Sequence, residues 1–191
     1  MTEEIQRQSA LIRKLVERFI DHPEALMIDP REHPGCVYWT MKCHADDFSK
    51  MVGKQGAHYQ ALLVLLAEFG RSTGSQYILK RYLEPDPAQR RDMMHKKSVH
   101  HYDVEPAQVL LEEVLGNLGI GQFGLTTVQS SYNPITYVFS ITTRAYEDYT
   151  LLTVPSENRT NPMTLIGALG TIFRAYANRD GVRLNLEVRH E

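Results

Sequence analysis

The chain has 191 residues, 42% hydrophobic and 23% charged, a composition that fits one or two globular domains and excludes a broadly disordered protein. Its formal net charge is −2, which excludes a global basic field, so any polyanionic partner must be met by a local patch. No apolar run reaches the roughly 18–20 residues of a bilayer-spanning helix.

The opening MTEEIQRQSALIRK is polar and charged, unlike a secretory leader, and a cytoplasmic setting is expected. Cys36 and Cys43, the two cysteines, sit in one predicted strand at odd separation and so face opposite sides. Reduced thiols are expected. Residues 5–21 bring Ile5, Leu11, Ile12, Leu15, Val16 and Phe19 to one helical face, and His22-Pro23 ends that helix. ALMID (25–29) and CVYWTMKC (36–43) predict two strands split by the turn-like PREHPG. Asp46 or Asp47 is placed to cap a short helix through Met51. Gly53-Lys54-Gln55-Gly56 follows, then an apolar helix over 57–69, a polar turn, and a strand over 75–83. The first 83 residues thus read α-β-β-α-(GKQG)-α-β.

Residues 84–106 read as a linker bracketed by prolines, with Arg90, Arg91, Lys96 and Lys97 opposed in the middle by Asp92 alone. From there the sequence predicts a helix with Pro106 in its first turn. Three strands follow (FGLTTVQSS, PITYVFSITTR and YTLLTV), then a helix over 162–178 and a closing strand over 182–188. The second half therefore reads α-β-β-β-α-β. The expected fold class is α+β: a domain over 1–83, the linker over 84–106, and a second small domain over 107–191.

The stretch from about residue 10 to 83 resembles a type II KH domain, and most closely the small bacterial single-KH RNA-binding proteins. The resemblance rests on LVERFIDHPEAL (15–26), on VYWTMKCHADDFSKMVGKQG (37–56) and on the helix carrying Leu62, Leu63 and Leu66. It implies a loop that clamps about four nucleotides of single strand. Glycines at both ends admit close backbone approach, and the helix N-terminus behind the loop favours a phosphate. The implied site is Gly53, Lys54, Gln55 and Gly56. Met51, Val52 and Leu62 would form an apolar floor, His58 and Tyr59 would lie beside it with Tyr59 a candidate for base stacking, and Lys50 and Lys42 would support phosphates. Arg90, Arg91, Lys96 and Lys97 would add linker charge. Against the family pattern, Ala57 stands where a basic residue is common, and the helix ALLVLLAEF carries no basic side chain.

LIGALG (165–170) is a second G-x-x-G, but its middle residues are Ala168 and Leu169. Close packing against another element explains it better than a ligand loop. A degenerate second KH domain by duplication is one alternative for this half. A likeness in element order to double-stranded RNA-binding domains is another, although TNPMTL stands where their basic patch would be. His95, His100 and His101 near Asp103 match no metal-site spacing. No G-x-S-x-G, phosphate-loop or H-E-x-x-H motif occurs, so no enzyme activity, cofactor or metal is expected. The expectation is a non-enzymatic binder of single-stranded RNA, with single-stranded DNA admitted by the same features, no membrane partner, and self-association through the C-terminal domain. An adaptor that uses the fold for protein contacts is the alternative.

Overall fold

The computed structural model describes residues 2–83, 103–132, 135–155, 163–178 and 180–191. The basic side chains Arg90, Arg91, Lys96 and Lys97 lie outside the described residues.

Helix α1 (Glu3–Glu17) buries Ile5, Leu11, Ile12, Leu15 and Val16, the face its spacing predicts. Strands β1 (Met27–His33) and β2 (Cys36–Lys42) form a hairpin across Pro34-Gly35. The first strand runs on through Pro30, where PREHPG predicts a turn. Its position at the sheet edge explains the tolerance, because an edge residue can forgo one ladder hydrogen bond. After the short helix α2 (Phe48–Val52) and the GKQG turn, helix α3 (Ala57–Ser72) leads to β3 (Gln76–Leu83). The sheet order is β1-β2-β3, with β1 antiparallel and β3 parallel to β2. A parallel third strand requires a crossover, and α2 and α3 supply it. Trp39 at the centre of β2 is fully buried, 5.5 Å from the Tyr77 ring. The Tyr77 hydroxyl donates to the buried Gln8 at 2.7 Å, which joins β3 to α1.

The second half comprises α4 (Glu105–Asn117), β4 (Phe123–Tyr132), β5 (Ile135–Thr143), α5 (Tyr146–Thr153), α6 (Leu165–Asn178) and β6 (Arg183–His190). YTLLTV is therefore helical, which corrects the strand expected there. Glu147 and Asp148 occupy the first turn, where carboxylates favour a helix start. The β-forming threonines fit because their hydroxyls bond back four residues: Thr150 to the Tyr146 carbonyl and Thr153 to the Tyr149 carbonyl, both at 2.8 Å.

With that correction both halves run α-β-β-α-α-β. The second sheet repeats the first in order and sense: β4-β5-β6, with β4 antiparallel and β6 parallel to β5. LIGALG lies inside α6, in the place α3 holds in the first half. Its two glycines differ, Gly167 being crowded by the residues just before the helix and Gly170 having room. A Cβ on Gly170 would meet only the Arg174 guanidinium, at 3.8 Å, and one on Gly167 would meet the Thr164 hydroxyl at 3.1 Å and Met163 Cγ at 3.5 Å.

The halves share one core. Helix α3 packs on β3 and on α6, and α6 packs in turn on β6. Helix α1 touches both α4 and α6. Lys14 pairs with Glu113 at 2.8 Å, and the Arg18 guanidinium sits 5.1 Å from the centre of the Tyr176 ring. Between Ala61 and Gly70 only Ala67 is exposed. This double covering explains why ALLVLLAEF carries no basic side chain: both of its faces are interior. No helix among the described residues is long and apolar enough to cross a membrane.

Candidate nucleic-acid interface

The GKQG loop is built on backbone that few residues can adopt. Gly53 has φ 75° and ψ 170°, Gln55 has φ 55°, and Gly56 has φ 79°. The Gly53 angles belong to a region open essentially to glycine alone. A Cβ there would lie 2.7 Å from His58 Cγ and 2.9 Å from the His58 backbone nitrogen. The glycine is thus required twice, by torsion and by space. Around Gly56 there is open space, so only its left-handed torsion selects glycine.

His58 fixes the loop from behind. Its Nδ1 donates to the Lys50 carbonyl at 2.6 Å, and its ring packs 5.3 Å from that of Phe19. His58 was expected beside the bases, and the structure commits its ring to the loop. Met51 and Leu62, expected as floor, are fully buried and act beneath any contact surface. Val52 is half-buried, and Tyr59 is partly buried against the core. Lys54 and Gln55 are exposed at the loop tip, and Lys42 is exposed at the end of β2.

Lys50 is engaged with carboxylates: it hydrogen-bonds Asp21 and lies 3.5 Å from Asp47. Asp47 is wholly buried. Its two oxygens accept the backbone N–H groups of Asp21 and His22, both at 2.7 Å. The aspartate expected to cap α2 therefore ties the end of the α1 region to the root of the loop helix. The cap before α2 comes from His44, whose Nδ1 accepts the Asp46 N–H at 3.3 Å and opens the turn Ala45–Asp47. Nothing short-range marks the tie that Asp47 makes, because Asp21 and His22 lie more than twenty positions upstream.

Cys36 and Cys43 are free thiols. Burial, with the Asp47 carboxylate nearby, pushes the Cys43 thiol up to about 11.

In the second half the connection between α5 and α6 spans residues 154–164 and contains no G-x-x-G. Residues 156–162 of it lie outside the described residues.

An exposed lysine–glutamine pair between two glycines, set between two helices over a mixed sheet, defines an α+β protein with a glycine-bounded loop. Comparison gives the particular family. The chain is 34% identical over 53 residues to the RNA-binding protein KhpA of Oceanobacillus iheyensis, covering 28% of this chain and 71% of that protein. It is 30% identical over 60 residues to the RNA-binding proteins KhpA of Listeria monocytogenes and Listeria innocua, covering 31% of this chain and 79% of each of those. The chain belongs to the KhpA family, with its C-terminal half unmatched. No family model and no solved structure matches it.

Proposed function

We propose that the protein binds single-stranded RNA, without catalysis, through the loop Gly53–Gly56 of a type II KH domain spanning residues 1–83. The observation that carries this reading is the loop itself. A torsion reserved for glycine, locked by the His58–Lys50 bond, leaves Lys54 and Gln55 exposed at the head of α3. A backbone phosphate can approach such a loop closely, with the amides at the start of α3 and the Lys54 ammonium favouring its charge. The relatives, named as RNA-binding proteins, support the same reading. Lys42 extends the basic side. Lys50 contributes through its carbonyl and its carboxylate pairs more than as an open cation.

The C-terminal half is read as a second copy of the same arrangement, without the glycine loop. It supplies the partner surface for α3. The adaptor alternative draws on the missing basic residues after Gly56; the interior position of residues 61–70 accounts for their absence along α3, while Ala57 at its start still speaks for that alternative. The test is the double variant Lys54→Asp, Gln55→Asp, assayed by anisotropy with mixed-sequence single-stranded RNA at low salt. Both side chains are exposed, so the fold is expected to survive. Affinity is expected to fall by about tenfold or more, since two phosphate-facing positions become repulsive. Unchanged affinity in a folded variant overturns the proposal.

A further inference from the structure

Three side chains from two connections meet beside the loop helix. His22 lies between α1 and the turn Pro23–Ala25, while His44 and Asp46 lie between β2 and α2. The imidazole centroids of His22 and His44 are 4.0 Å apart. One ligand-capable atom from each of His22, His44 and Asp46 lies within 4.8 Å of the other two. Among the described residues, few buried side-chain polar atoms lack a hydrogen-bond partner, and two of them are here: His22 Nε2 and Asp46 Oδ2. A buried polar atom without a partner costs free energy, and two carried by one cluster call for a shared one.

We propose that His22, His44 and Asp46 bind one divalent transition-metal ion of the zinc class. Two imidazoles and one carboxylate suit zinc, and they disfavour magnesium or calcium, which take oxygen shells. His22 is prepared for the role. Its Nδ1 lies 3.3 Å from Glu24 Oε1, which puts a carboxylate beside the ring. A carboxylate behind a histidine is the usual outer support of a zinc ligand. His44 Nδ1 and Asp46 Oδ2 are 3.5 Å apart. Two ligands about 2.0–2.1 Å from zinc at a tetrahedral angle are about 3.4 Å apart, so this edge is already formed. The long contact from the Asp46 N–H to His44 Nδ1 yields to the stronger metal bond. Three protein ligands leave a fourth position for water. The ion clasps the two connections that Asp47 already joins, one short helix from Gly53. The adjacent Cys43 is outside the set. No short-range signal marks this cluster, because His22 stands 22 positions before His44 and the two meet only through the fold.

The experiment uses the full chain stripped with a chelator and titrated with Zn2+ alone. Calorimetry is expected to show one ion per chain. At a hundredfold excess over the dissociation constant, the melting temperature is expected to rise by roughly 5–10 °C. His22→Phe, which keeps a ring against His44, and Asp46→Asn should each weaken binding by at least about tenfold. The triple variant His95→Gln, His100→Gln, His101→Gln should bind as the parent does. Mass-mapped diethyl pyrocarbonate labelling of the parent, with and without Zn2+, keeps the question open to refutation if a variant fails to fold: protection is expected at His22 and His44 and not at His33. With Co2+ the spectrum should lack a thiolate charge-transfer band. Absence of stoichiometric Zn2+ binding, loss of binding in the triple variant, labelling of His22 and His44 unaffected by Zn2+, or a thiolate band would each overturn the proposal.

Discussion

His58 Nδ1 meets the carbonyl oxygen of Lys50 at 2.6 Å, across the back of the glycine loop. A carbonyl can only accept, so the ring carries its proton on Nδ1. Asparagine places an amide N–H near the same point, whereas leucine fills the space without a donor. His58→Leu is expected to cost about 1–3 kcal/mol in urea unfolding, because it leaves a part-buried carbonyl unpaired. His58→Asn should recover at least half of that loss. Equal losses in both variants would show that ring packing against Phe19, and not the bond, holds the loop.

The two loop glycines are expected to respond unequally to alanine. Gly53→Ala meets a forbidden torsion and a clash with His58, and should cost at least about 2 kcal/mol. Gly56→Ala enters open space and pays only for the left-handed torsion, about 1–2 kcal/mol. Denaturant midpoints at constant slope measure the difference.

Asp47 is the most exacting polar residue near the loop. Asp47→Ala strips acceptors from two backbone N–H groups and leaves Lys50 with Asp21 alone, at an expected cost of about 3–5 kcal/mol. Asp47→Asn keeps one acceptor and should cost less. A surface-like loss below about 0.5 kcal/mol for the alanine variant would contradict the buried geometry.

The raised Cys43 pKa carries a pH signature. The unfolded thiol ionises near its ordinary value of about 8.5, whereas the folded one keeps its proton to about 11. The unfolded state therefore binds fewer protons in between. The contribution is full below about pH 8.5 and is lost progressively as the pH rises to about 11. At pH 8, iodoacetamide should label Cys36 before Cys43, and Cys43→Ser should flatten the alkaline decline in stability.

Gly170 sits within α6 with room for a methyl group. Gly170→Ala is expected to stabilise the protein by about 0.5–1 kcal/mol through helix propensity. Destabilisation would mean that α3 needs a closer approach than the present packing shows.

What the sequence made legible was local. GKQG and the apolar face of α1 are each written within a few residues, and each stands where it was expected, while the turn expected over PREHPG narrows to Pro34-Gly35. The misreadings have physical causes. In α5, eight residues rich in tyrosine and threonine are too few for a helical period to outweigh β propensity. Pro30 hid the continuation of β1, because only an edge position makes it admissible. Met51, Leu62 and His58 sit beside the loop in sequence yet turn inward, and burial of that kind is decided by what packs behind. The partners of Asp47 and the meeting of His22, His44 and Asp46 depend on tertiary proximity that no window of the sequence contains.

The enclosure of α3 also sets the valence of the molecule. One face of the helix that follows the loop is occupied by α6 of the same chain, and the connection before α6 carries no second glycine loop. On the proposed function, each chain offers one clamp of about four nucleotides. On that reading, coverage of a longer strand grows by adding whole molecules along it, and its dependence on protein concentration would report that directly.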